Sequence, residues 1–203
     1  MKRSIMLENK IAPDVGDILV DGSFVPPQNY TSGGKGVVIH VSKNIAIVIG
    51  KYVGTAAWGT NVQVNGILMT SDQNQALNSF TGFEDTQVLK AYYGASGSYA
   101  FQKCLAVPNV LGFKQTGWYL PAVGEIAYIA SSFNVITASM RKITGLYGSD
   151  WGNHCLLTTQ LDSSTYWCWD IDAMVNGIPN GLGHNLKSSN YNAPVYPCNR
   201  IQL

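Results

Sequence analysis

Charge is scarce in this chain. Of 203 residues, thirteen are Lys or Arg and twelve are Asp or Glu, 12% in all, for a net charge of +1. A nucleic-acid groove or a face for an anionic membrane normally needs a basic cluster, and none is present, so both function classes are excluded. Long apolar runs are missing as well: nothing approaches the ~20 uninterrupted apolar residues of a spanning helix, so no membrane insertion is expected. The opening MKRSIMLENK carries Lys2 and Arg3 but no apolar run of about 7–15 residues behind them, so this stretch predicts no signal peptide. Cys104, Cys155, Cys168 and Cys198 are far apart, without the C-x-x-C pair of zinc or redox sites, and free, mostly buried thiols are the expectation. His40, His154 and His184 have no partner at metal-ligand spacing, so the sequence implies neither a metal nor a cofactor. His40 lies in an apolar strand and reads as a hydrogen-bonded core residue.

What the chain has is 46% hydrophobic residues, twenty-one glycines and eleven tyrosines. That is enough to bury one sizeable core, with many turns and a surface suited to binding loops. Gly16 to Val25 predicts a hairpin about Asp21-Gly22, a dipeptide that favours a two-residue turn. Pro26-Pro27 end it. Gly36 to Ile49 predicts a second hairpin, VVIHV and IAIVI about Ser42-Lys43-Asn44, apolar enough to be buried on both faces. From Trp58-Gly59 to about Asp72 the chain is polar and glycine-bearing.

Helices are expected at about 85–93, 121–133 and 135–144. Asp85 caps the first, with Val88, Leu89 and Tyr92 on one face. Ser98 caps a short additional helix that ends before Pro108. Pro121 suits the first turn of the second main helix, behind an extended Trp118-Tyr119-Leu120. Asn134 caps the third, with Val135, Ile136, Met140 and Ile143 inward. After Asp150 the helical periodicity vanishes and Gly, Asn and Ser rise.

W-Y-L-P-A-V-G-E-I at 118–126 resembles the W-x-L-P-(ST)-x-x-E-L segment of a domain family in bacterial surface lipoproteins and phage-borne proteins, whose members adopt a C-type-lectin-like fold. Other segments resemble that family in the same order: GDILVDGSF near the start, AWG at 57–59, LLTTQ at 156–160 with Gln160 where Glu is usual, and YWCWDI at 166–171. NAPVYPCNRIQL at 192–203 keeps the family's prolines but lacks its usual Arg, which weakens the closing contact the resemblance would imply. The chain is most similar to the variable proteins of diversity-generating retroelements. The resemblance implies an α+β, C-type-lectin-like fold: antiparallel strands with two to three packed helices, plus N-terminal β-hairpins. In domain terms, it implies a hairpin region over 1–60 packed on a main domain over 61–203, with a variable ligand-binding region at about 155–192.

In such proteins adenine-directed mutagenesis diversifies Asn-type codons and spares the scaffold. Between Leu161 and Tyr191 anchors such as Trp167, Trp169, Met174 and Gly177 alternate with residues mostly reachable from AAC. The display positions implied are Leu161, Asp162, Ser164, Thr165, Asp170, Ile178, Asn180, Leu182, His184 and Tyr191, facing a protein or glycan ligand on a target surface. They are expected to be exposed and to tolerate joint replacement, while Trp167 and Met174 point inward. The resemblance places the protein on a phage virion or bacterial cell surface. The alternative is a structural tail or pilus-tip component without its own ligand. A formylglycine-generating-type enzyme ranks below both, because His154 and Cys155, as strand neighbours, would face opposite sides. Calcium-dependent sugar binding lacks its E-P-N, Q-P-D and W-N-D motifs.

Overall fold

The computed structural model describes residues 12–143, 155–169, 174–175, 178–179, 182–187 and 192–203. Antiparallel pairing dominates from the first strands: β1 (Ile18–Val20) turns through Asp21-Gly22 into β2 (Ser23–Val25), with Val20 opposite Ser23. Gly22 takes φ 80°, the left-handed conformation this turn needs. β3 (Gly36–Val41) and β4 (Ile45–Gly50) form the second hairpin, with a bulge between Val38 and His40. Gly36 is glycine because a Cβ there would lie 2.4 Å from the Ile49 carbonyl oxygen.

β5 (Thr55–Ala56) follows, then α1 (Gln73–Leu77), α2 (Gly82–Tyr93), α3 (Ala100–Leu105), α4 (Val123–Ser131) and α5 (Phe133–Lys142). The last third supplies β6 (Cys155–Gln160), β7 (Thr165–Trp169), β8 (Met174–Val175), β9 (Ile178–Pro179), β10 (Leu182–Leu186), β11 (Ala193–Pro194) and β12 (Cys198–Gln202). The largest sheet runs β12-β4-β3-β1-β2, and a second runs β10-β7-β6. β11 pairs with β5 and β8 with β9. Thus the C-terminal strand lies beside the second N-terminal hairpin, and the architecture is α+β with antiparallel sheets.

Both faces of that hairpin are covered. Val37, Ile39, Ile47 and Ile49 join Ile126, Ile129, Ile136 and Met140 beneath α4 and α5, while Val38, Ala46 and Val48 pack with Val110, Trp118 and Ile201 on the other side. A third cluster lies under α2 and α3, with Trp58, Phe101, Leu120, Tyr166 and Val195. The stretch 118–120 therefore feeds three cores in succession. Trp118, 3% exposed, enters one, Tyr119 another and Leu120 the last. Tyr119 is held by two backbone hydrogen bonds with Cys198, each 2.8 Å.

Several local expectations are corrected. The helices number five among the described residues: the three main ones and the short helix expected before Pro108, joined by the unforeseen α1. Asp85 is not a cap: α2 begins three residues earlier, after Thr81, and Asp85 is buried inside its first turn. Tyr92 is 57% exposed rather than inward, leaving Leu89 as the buried member of that face. The cap of α3 is Tyr99, whose N–H donates to Gln102 Oε1, and not Ser98. Val135 is 50% exposed, because the inward face of α5 runs through Ile136 and Met140, about 100° round the helix. His40 is only half-buried, its ring stacked on Tyr128 at 3.8 Å between centroids. All four cysteines are free and buried.

Candidate binding face

The three-stranded sheet carries the segment expected to display variable residues. β6 is buried along its whole length, and β7 is buried from Tyr166 to Trp169. Trp167 points inward, as expected, and its Nε1 donates to the Thr70 carbonyl at 2.9 Å. Between these strands the chain turns through Leu161–Ser164. Asp162 makes the turn: its Oδ1 accepts from the Ser164 N–H (2.7 Å), the Ser164 hydroxyl (2.9 Å) and the Thr165 N–H (2.8 Å). The Thr165 side chain first, and then these bonds from Ser164 and the Thr165 N–H, stabilise the carboxylate and pull it down to about 2. Leu161 and Asp162 N–H groups both donate to the Thr165 carbonyl.

Leu161, Asp162, Ser164 and Thr165 are thereby brought together, and Asp162 is exposed, whereas the other three are half-buried. Leu161 and Leu182 lean on the main core. Leu182 and His184 sit on β10 opposite Trp169 and Trp167 in register, and Ile178 pairs with Val175. Asp170, Asn180 and Tyr191 lie outside the described residues, as do the side chains of Ile178, His184 and Met174. His154 lies outside them too, and the Cys155 thiol donates to the Trp169 carbonyl at 2.9 Å. Asp162 is a turn-making residue as well as an exposed one, so free replacement of the whole set is not what this geometry allows.

Two features were missed from sequence. The first is Lys187, buried behind the turn, whose backbone N–H donates to the Ser164 carbonyl at 2.8 Å. Burial pulls its ammonium down to about 8 while Asp162 pulls the other way, so it is charged at neutral pH. The second is a polar hub at the start of α4. Glu125 Oε2 accepts from the Ala122 N–H at 2.9 Å, closing the first turn of α4, while Oε1 accepts from the Tyr119 hydroxyl at 2.8 Å and from Arg200 Nη2 at 3.0 Å. Arg200 Nη1 also reaches Glu84 at 2.9 Å. Burial raises the Glu125 carboxyl above its usual range, with the Ala122 N–H and Arg200 opposing. Arg200, three residues past Pro197, thereby ties β12 to α2 and α4. The signal available was the Glu125 at the third helical position, which with an N-terminal partner forms a capping arrangement.

A cleft of about 420 Å³ opens beside Arg200, walled by Ile45, Phe83, Glu84 and Lys114. A neighbouring one of about 330 Å³ holds His40, Phe80 and Tyr128. Among the described residues, no group of three His, Cys, Asp or Glu is placed to hold a metal ion.

No family model matches this sequence, and no curated protein matches it. A solved structure does: a fimbrial protein from Bacteroides ovatus superposes with a TM-score of 0.66 at 14% identity, over 94% of this chain and 49% of that one. The chain thus shares a fold with about half the length of that protein.

Proposed function

We propose that this chain is a structural component of a bacterial surface appendage of the fimbrial or pilus-tip kind, with no catalytic role. The observation that carries this reading is the shared fold, which extends over 94% of the chain to a fimbrial protein. The finer architecture proposed is C-type-lectin-like, supported by helices packed on antiparallel strands and by a C-terminal strand paired beside an N-terminal hairpin. Shearing appendages from the source cells and probing the fractions with an antibody to this chain tests the assignment. Recovery in the sheared fraction is expected; recovery from the cytosol alone would overturn it.

A second reading is favoured by one local observation. The Asp162 turn is exposed at its tip, yet rests on buried strands and on Trp167, an arrangement that suits display of changing side chains on a fixed base. On this reading the protein is a variable protein of a diversity-generating retroelement, recognising a protein or glycan on a target surface. The flanking DNA decides it: a near-copy of the segment encoding about 155–200 that differs only at adenines, beside a reverse transcriptase, is the required finding.

A further inference from the structure

Lysine is among the residue types least often fully buried, and then normally pairs with a carboxylate. Lys187 has 0% of its surface exposed, and among the described residues it forms no ion pair. Among the described residues its Nζ instead faces oxygens of amide type. Its three N–H groups reach four acceptors, one proton being shared: Gln160 Oε1 at 2.6 Å and the carbonyls of Asp162 at 2.8 Å, Val62 at 3.1 Å and Ser163 at 3.3 Å. The Trp58 ring closes the shell, its centroid 4.8 Å from Nζ.

Each wall is fixed by bonds of its own. Gln160 Oε1 accepts from the Val64 N–H at 3.0 Å, and its Nε2 donates to the Val64 and Ile67 carbonyls, so the amide is oriented with oxygen toward Lys187. Trp58 Nε1 donates to the Leu157 carbonyl at 2.8 Å, which sets the plane of its ring. Four oxygens with partial negative charge converge on one point, beside the negative face of an indole. Without a cation there, the dipoles would oppose one another in a buried place. A shell of carbonyl oxygens with no carboxylate suits a singly charged ion.

We infer that Val62, Gln160, Asp162, Ser163 and Trp58 form a monovalent-cation site whose occupant is the chain's own Lys187 ammonium, and that this site binds a free primary alkylammonium ion once the tether is removed. The shell draws on the loop after β5, the end of β6 and the Asp162 turn, so occupancy locks the turn to the scaffold. It holds whichever reading of function is right.

The test is cation rescue. Lys187→Ala removes both stem and charge, whereas Lys187→Met keeps a stem and removes the charge. Lys187→Ala is expected to lower Tm by more than about 5 °C and to recover saturably with butylammonium chloride, but not with butanol or with sodium chloride at equal ionic strength. Lys187→Met, whose stem occupies the space of the lysine's, is expected to lose Tm without rescue. An unchanged Tm in Lys187→Ala, equal recovery with butanol, or no recovery with any additive would overturn the inference. If Lys187→Ala does not fold, nitrogen-15 NMR of the parent protein decides. A lysine ammonium signal that exchanges with water at least about tenfold more slowly than the other lysines is expected for a sequestered ion, and its absence would overturn the site.

Discussion

Removing the charge from Asp85 is expected to stabilise the protein at neutral pH. The side chain is buried in the first turn of α2, where Oδ2 accepts from the Thr158 hydroxyl at 2.7 Å and from the Thr81 hydroxyl at 3.1 Å. Burial raises its carboxyl from 3.8 to about 6 against the pull of those two hydroxyls, and Glu125 and Glu84 add to the rise. Because the folded value lies above the unfolded one, this group's contribution is fully present below about 4. It falls as pH rises to about 6 and is constant beyond. At about 1.4 kcal/mol per tenfold, the span from 3.8 to about 6 is worth about 3 kcal/mol. Asp85→Asn keeps the shape and one acceptor oxygen but cannot ionise. It should therefore gain up to about 3 kcal/mol on the parent at pH 7.5, a rise in Tm of about 5–10 °C for a chain this long. Near pH 4 the gain should vanish. Glu125 is also raised and gives the parent a slope of the same sign, but it is present in both proteins and largely cancels in the difference. Paired urea melts at pH 4, 5, 6 and 7.5 measure this. A difference independent of pH, or one favouring the parent more strongly at pH 7.5 than at pH 4, would refute the reasoning.

Trp118→Ala should cost about 3–5 kcal/mol through the cavity it leaves and the lost Nε1 bond to the Pro108 carbonyl, read as a fall in denaturant midpoint. Arg200→Ala should cost about 3–5 kcal/mol, because it strands the buried Glu125 carboxylate; Glu84→Ala, at a side chain 55% exposed, should cost under about 1 kcal/mol in the same melts. Asp162→Ala should cost about 1 kcal/mol by removing three turn bonds, and Asp162→Asn, which keeps the accepting oxygen, less. Equal melting of Asp162→Ala and parent would return that position to the freely replaceable set.

The parts of the fold legible in sequence were those fixed by neighbours in the chain. Asp21-Gly22 specifies its hairpin locally, and the alternation-free VVIHV and IAIVI runs mark strands covered on both faces. The α1 helix was missed although its signal is present: Asp72 accepts from the Asn74 and Gln75 N–H groups at its start. Asp85 was misread for a related reason, since an Asp at a helix start looks alike whether it caps the helix or lies in its first turn. Val135 was expected inward with Ile136, but it faces Gly16, where a Cβ would come 2.5 Å from its Cγ1. The bonds of Lys187 were out of reach of any local reading. The partners of its ammonium lie 24 to 125 residues away.

Two charged hubs join the ends of the chain to its middle, and they differ in what they can tolerate. Glu125 draws the first turn of α4, the Tyr119 hydroxyl and Arg200 of the last strand into one buried network with opposite charges present, so its geometry is overdetermined by hydrogen bonds and an ion pair together. Lys187 has amide oxygens and an indole face in place of a counter-charge, so its hold depends on the shell keeping its shape. The first hub lies between α4, α2 and β12, whereas the second lies directly behind the exposed Asp162 turn. Variation at the turn's exposed tip is therefore compatible with the fold so long as the carbonyls of residues 162 and 163 keep their direction. That is a backbone requirement, which side-chain changes at Ser163 satisfy and which changes at Asp162 satisfy only when they keep the accepting oxygen that sets the turn.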